Sequence, residues 1–65
     1  MKKAEYFTYL LERKNFESES FDDLEVNNVF FQNCNLEMTS FYGAKFTHCI
    51  FENCDFYHSI LTEAS

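Results

Sequence analysis

The chain contains no proline, no tryptophan and a single glycine, Gly43, among its 65 residues. Antiparallel β-sandwiches place proline and glycine at their many tight turns, so this composition argues against a turn-rich sandwich. The chain also lacks an apolar run that approaches the ~20 residues of a membrane span. Its first residues, MKKAEYFTYLLERK, lack the apolar run and the small-residue cleavage site of a signal peptide. We therefore expect a cytoplasmic protein that does not contact membranes.

Cysteine is scarce as well. The three cysteines, Cys34, Cys49 and Cys54, form no CxxC pair, and an odd number does not fit a secreted disulfide framework. We expect free thiols in a reducing compartment.

Basic side chains are rare beyond the first fourteen residues. From Asn15 onward the chain has nine acids and one base, Lys45, which gives this part a net charge of −8, whereas the whole chain carries −6. Contacts to phosphate require Lys and Arg, so direct binding to nucleic acid is not expected. A partner with a basic surface is the natural one for such a charge.

Phenylalanine is abundant, with nine residues, and four tyrosines add to the aromatic content. Between Phe41 and Leu61 every fifth residue is large and apolar, and the same frame runs back to Phe16 through ten consecutive fifth positions. This period matches neither the 3.6 residues of a helical turn nor the alternation of a strand. A fixed short repeat indicates a solenoid, in which each unit buries its apolar face by stacking on the next coil.

When the chain is divided into units of five from Lys14, the third place is Phe, Leu or Val throughout. Units such as CNLEM, AKFTH and CDFYH resemble the pentapeptide-repeat family, whose pattern is a small residue, often Asn or Asp, then Leu or Phe, then two polar residues. The resemblance implies an all-β fold, a right-handed quadrilateral β-helix with four units per coil and about two and a half to three coils. Third-place residues then point to the axis, and residues twenty apart stack about 4.8 Å from each other.

In this organisation residues 15–65 form the β-helix, and residues 1–14 form either a short N-terminal capping helix or a first irregular half-coil. The helix would carry one apolar face, formed by Ala4, Phe7, Leu10 and Leu11. The half-coil would instead continue the five-residue frame. Large apolar residues at both ends favour a homodimer over a monomer.

The frame also sorts the side chains that could carry chemistry. Cys34 and Cys54 fall one above the other at a spacing compatible with a disulfide, although two inward thiols acting as small apolar groups are the preferred interpretation. His48 and His58 fall at solvent-facing fifth places, away from the inward cysteines, so no metal site is expected. A filled axis leaves no pocket for catalysis. We expect no catalytic residue, no cofactor, no metal and no enzymatic activity.

Acidic residues supply the first candidate partner-binding surface. Eight carboxylates are candidates for a DNA-mimic surface: Glu17, Glu19, Asp22, Asp23, Glu25, Glu37, Glu52 and Asp55. Duplex DNA carries about one charge per 1.7 Å of its axis, so coils that rise roughly 14 Å would match about eight phosphates. Plain solvation of a small domain is the alternative explanation for these acids.

Apolar residues at second places supply another candidate surface. Phe30 and Ile50 occupy stacked second places, where the family pattern has Asn or Asp, and Tyr57 is a further candidate for apolar contact with a partner. Exposed large apolar side chains in register suggest a binding surface. Alternatively, the N-terminal segment or a second copy of the chain covers them.

Three functions follow as hypotheses. In size and charge the chain is similar to phage anti-CRISPR inhibitors, which implies blocking of target-DNA binding by a CRISPR-Cas surveillance complex. The stretch VNNVFFQNCNLEMTSFYGAKF resembles the coils of quinolone-resistance pentapeptide proteins, which implies protection of DNA gyrase or another topoisomerase from a quinolone or toxin, although those proteins are several times longer. A structural protein-protein interaction module is the third hypothesis.

Overall fold

The computed structural model describes residues 9–65, which form short parallel β-strands, isolated bridges and turns. The strands are β1 (Tyr9–Glu12), β2 (Glu25–Asn27), β3 (Val29–Gln32), β4 (Lys45–Thr47) and β5 (Ile50–Glu52). They form a three-stranded sheet in the order β1-β3-β5 and a two-stranded sheet of β2 and β4. None of the described residues forms a helix that is long and apolar enough to cross a membrane.

Every strand pairing joins residues that are twenty positions apart. Leu10 pairs with Phe30, and Phe30 pairs in turn with Ile50. Two further sets of isolated parallel bridges keep the same spacing: Asn15–Asn35–Asp55 and Ser20–Ser40–Ile60. The chain therefore returns to the same position every twenty residues, so the predicted all-β coil with stacked units is confirmed.

Four sets of pairings follow one another along each coil, and we call them faces A to D. Face A carries β1, β3 and β5, and face D carries β2 and β4. Face B carries the Asn15–Asn35–Asp55 bridges, and face C carries the Ser20–Ser40–Ile60 bridges. Third places from Leu11 to Phe56 and first places from Val29 to Ser59 are buried or partly buried, whereas the first places before Val29 and most second and fourth places are exposed.

Each fifth place is a corner at which the backbone enters the left-handed region. The φ angles at these positions lie between 54° and 69°, and ten of the eleven residues are not glycine: Arg13, Ser18, Asp23, Asn28, Asn33, Met38, His48, Asn53, His58 and Glu63. Asn and Asp tolerate this conformation better than other side chains, so the Asn and Asp corners are the least strained of these. Gly43 is the exception, and a Cβ there would collide with Oδ1 of Asp23, one coil away.

The axis is filled by third-place side chains in columns. The rings of Phe21 and Phe41 are stacked with centroids 5.3 Å apart, and those of Phe31 and Phe51 are stacked at 4.4 Å. Leu36 and Phe41 are almost completely buried. The predicted columns Phe21–Phe41 and Phe31–Phe51 are confirmed, and their aromatic rings contribute large apolar areas to the core of this small fold.

First-place side chains tie neighbouring coils together. Thr39 Oγ1, Ser59 Oγ and the Sγ atoms of the cysteines each donate to the carbonyl of the residue 23 positions earlier, which is a third-place residue one coil away. The oxygen donors give the shorter contacts, 2.8 Å for Thr39 to Phe16 and 2.6 Å for Ser59 to Leu36. A small side chain with a donor therefore fits the first place both in volume and in hydrogen bonding.

For residues 1–14 the sequence is compatible with two structures, a capping helix or a half-coil. Leu10 and Leu11 lie in β1, which pairs with β3 in the twenty-residue register, so they belong to the coil. The other two residues of the expected helical face, Ala4 and Phe7, lie outside the described residues.

Candidate protein-binding surface

Face B presents an ordered column of side chains built on three Asx turns. The Oδ1 atom of each second-place residue accepts a hydrogen bond from the backbone N–H two residues later. The Glu17 N–H donates to Asn15 at 3.0 Å, the Glu37 N–H to Asn35 at 2.9 Å, and the Tyr57 N–H to Asp55 at 3.0 Å. Asn and Asp favour this turn because their short side chains reach their own backbone. The turns hold the fourth-place residues Glu17, Glu37 and Tyr57 in one outward column.

Carboxylates crowd together on this face. The pKa of Glu37 is raised above its ordinary value of 4.5, chiefly by the charge of Asp55, then by burial, by a hydrogen bond with the Asp55 side chain and by the charge of Glu17. Like charges at this range disfavour ionisation of each other. Three of the predicted candidate acids, Glu17, Glu37 and Asp55, are therefore brought together by the fold.

Two acids at face C have structural contacts of their own. Oδ1 of Asp22 accepts hydrogen bonds from the Ser40 hydroxyl and from the Tyr42 N–H, the latter at 3.1 Å. Asp23 sits at a corner with φ of 60° and lies against Gly43. Both side chains are exposed to a partner, but both also connect neighbouring coils.

The remaining candidate acids lie on three faces, with Glu19 at the start of the face C unit, Glu25 on face D and Glu52 on face A. Glu19 and Glu25 are exposed, and Glu25 lies opposite Lys45 in the pairing of β2 with β4. Glu52 is partly buried on face A and accepts a hydrogen bond from Gln32 Nε2 at 3.0 Å. The eight acids thus do not form one patch, and the dense part lies on faces B and C.

The predicted exposure of Phe30 is wrong. Its side chain is only 5% exposed although it occupies a second place, which fits the alternative in which this column is covered. Ile50 is partly buried. Tyr57, the third apolar candidate, is 63% exposed and packs edge-on against the ring of His58 with centroids 4.1 Å apart.

The cysteines and histidines do not converge. Cys34, Cys49 and Cys54 are free thiols, and burial raises the pKa of the Cys54 thiol above its ordinary value. His48 and His58 are exposed at corners, as predicted. Within residues 9–65 no group of three or more His, Cys, Asp or Glu side chains could hold a metal ion.

The described residues form an open concavity of about 290 Å³ against third-place side chains of residues 41–61. Its lining consists of Phe41, Phe46, Phe51, Phe56, Leu61, Ala64 and Ser65. This lining is apolar apart from one serine and contains no acid-base pair.

Comparison with known protein families settles the classification. A family model described as pentapeptide repeats matches residues 27–63 with eight copies of the repeat. The chain belongs to the pentapeptide-repeat family. No curated protein and no solved structure was found to match it. In this pentapeptide-repeat protein the stacking begins before the matched range, since β1 (Tyr9–Glu12) already pairs in the same register.

The structure adds surface residues that the sequence pattern did not single out. Met38, Tyr42 and Ile60 are each almost half exposed, and they lie on or beside the faces that carry the dense acids. The signal was available in part, because second, fourth and fifth places point outward and a large apolar residue there is unusual for the repeat. Whether outward residues on adjacent faces lie close together depends on the backbone geometry of the corner between them, and the repeat spacing alone does not give that.

Proposed function

We propose that this pentapeptide-repeat protein is an inhibitor that mimics DNA and occupies the DNA-binding site of a nucleic-acid-binding protein complex. The observation that carries the proposal is the column of Glu17 and Glu37 with Asp55 beside it, held by backbone turns. The Asx turns fix the backbone that carries these carboxylates, so less backbone entropy is lost when a partner binds them.

The spacing and the sign of the charge support mimicry. Neighbouring coils lie about 4.8 Å apart, so acids in one column repeat at that interval along the coil axis. Acids on adjacent faces add further charges along the axis, which brings the charge spacing closer to the roughly 1.7 Å per charge of duplex DNA. Residues 9–65 contain only three basic side chains: Arg13, Lys14 and Lys45. Charge of a single sign attracts the Lys and Arg that otherwise hold phosphates.

The favoured target is a CRISPR-Cas surveillance complex, with the protein acting as a phage anti-CRISPR inhibitor. The small size and the net charge of −6 support this choice. Its mechanism would be competitive, with carboxylates of faces B and C pairing with the basic groups that bind target DNA, and with Tyr57 supplying apolar contact.

Charge reversal at exposed acids tests this function. The double variant Glu17→Lys with Glu19→Lys should abolish inhibition of target-DNA binding by the surveillance complex, measured by gel mobility shift, while the thermal unfolding curve is unchanged. These positions avoid Asp22 and Asp23, whose side chains connect coils. The matched control, Glu12→Lys with Glu63→Lys, changes the net charge equally outside the candidate surface and should retain inhibition. Full inhibition by the first variant would contradict the proposal.

Protection of DNA gyrase or another topoisomerase is the second candidate, and membership of the pentapeptide-repeat family supports it. A supercoiling assay with and without a quinolone separates the two candidates, because only this one predicts that added protein rescues supercoiling by the poisoned enzyme. A purely structural interaction module is the third. It would bind its partner with little dependence on salt, whereas contacts made by carboxylates weaken as salt is added.

The proposal includes the finer features of the fold and its setting. We take the coil to be a right-handed quadrilateral β-helix of about two and a half to three turns, with residues 15–65 as its body and β1 (Tyr9–Glu12) continuing the coil ahead of it. The apolar concavity lined by Phe46, Phe51 and Phe56 offers a contact for a homodimer. The setting would be the cytoplasm of a bacterial host cell.

A further inference from the structure

Four exposed side chains gather where faces B and C meet. Met38 and His58 are successive corner residues, one coil apart, with φ of 55° each. The Met38 N–H donates to the carbonyl of Tyr57 at 2.8 Å, which fixes the coils relative to each other at this corner. Ile60 follows directly on face C. Met38, Tyr57 and Ile60 are 48%, 63% and 47% exposed, and exposed apolar side chains grouped in this way indicate a contact surface.

Carboxylates border this apolar group on face B. Glu37 lies directly beneath Tyr57 in the fourth-place column, and Asp55 holds the Tyr57 backbone through its Oδ1 at 3.0 Å. The two carboxyl groups repel each other, as the raised pKa of Glu37 indicates. A cation placed between them would relieve that repulsion. We call these six residues, Glu37, Met38, Asp55, Tyr57, His58 and Ile60, the Tyr57 surface.

We propose that the Tyr57 surface binds an arginine side chain presented by the protein partner. A guanidinium group is planar, pairs with carboxylates through two parallel hydrogen bonds and stacks on an aromatic face, so it matches two carboxylates beside an exposed tyrosine. The ammonium group of lysine is a compact, strongly hydrated point charge and gains less from the ring. The inference rests on the proposed function, which supplies a basic partner, and it names the face and the residue type involved.

Two peptides of equal charge serve as probes: hexa-arginine and hexa-lysine, each acetylated and amidated. Isothermal titration calorimetry with the full chain at low salt should give about two- to fivefold tighter binding of the arginine peptide, as expected for a cation over an exposed aromatic ring. Equal affinities would overturn this inference and leave the acidic-surface function standing. Failure of both peptides to bind would overturn both.

Variants locate the preference on the surface. Tyr57→Ala should weaken binding of the arginine peptide more than binding of the lysine peptide, so that the two affinities become similar. Asp55→Asn keeps the Asx turn, because Asn15 and Asn35 make the same hydrogen bond in the same column. This variant should bind both peptides more weakly and should show a smaller difference between their affinities. The control Tyr42→Ala removes a similarly exposed tyrosine from face C and should change neither affinity. An arginine preference that survives both Tyr57→Ala and Asp55→Asn would contradict the assignment.

Discussion

Thr39, which is fully buried, donates its hydroxyl to the carbonyl oxygen of Phe16 at 2.8 Å, across one coil. The same oxygen also accepts the N–H of Glu19 at 3.0 Å, so both of its lone pairs are used. The Thr39 hydroxyl thus satisfies the Phe16 carbonyl, and the small side chain fits the interior of the coil.

Removal of this hydroxyl should destabilise the fold. Thr39→Val preserves the shape but leaves a buried lone pair without a donor, and we expect a loss of about 1 kcal/mol in the free energy of unfolding by urea denaturation. Thr47→Val is the control, because Thr47 is exposed on face D, and it should change stability by less than about 0.5 kcal/mol. An equal decrease in the free energy of unfolding for the two variants would show that the hydrogen bond from Thr39 to Phe16 makes no specific contribution to stability.

The left-handed corners should discriminate among side chains by shape. Met38 has φ of 55°, and a β-branched residue is strained there whereas asparagine is tolerated. We expect Met38→Val to lower the free energy of unfolding by about 1 kcal/mol or more relative to Met38→Asn. Thermal unfolding of the two variants under one condition measures the difference. Identical midpoints would contradict the assigned corner conformation.

The crowding of Glu37 and Asp55 should appear as a pH dependence. The pKa of Glu37 is raised in the folded state, so the folded protein binds this proton more tightly than the unfolded chain does, and stability contributed by Glu37 is lost as the pH rises through the raised value. Glu37→Gln should therefore raise the melting temperature at neutral pH. The advantage should disappear below the ordinary value of 4.5, where the group is protonated in both states.

The control for this titration is Glu19→Gln, which removes one exposed carboxylate that is not among the groups acting on Glu37. Its melting temperature should follow that of the parent protein across the pH range more closely than that of Glu37→Gln does. If Glu37→Gln melted below the parent protein at neutral pH, the charge of Glu37 would be stabilising, which would contradict repulsion between Glu37 and Asp55.

Much of the interior could be predicted from the sequence, because a five-residue period leaves little freedom in which residues stack. Phe31 over Phe51 and the exposed corner at His58 follow from counting alone. The burial of Phe30 does not, since the repeat assigns a second-place residue to the outer surface. Similarly, the approach of Glu37 to Asp55 joins a fourth place to a second place of the next coil, and only the actual pitch and corner geometry determine it.

The most direct test of the account is whether the protein and DNA exclude each other on the target. A surveillance complex saturated with the protein is challenged with target DNA, and the products are weighed by native mass spectrometry. The account predicts either the complex with protein or the complex with DNA, and both should dissociate as the salt concentration rises. A stable particle that contains complex, protein and DNA together would contradict DNA mimicry.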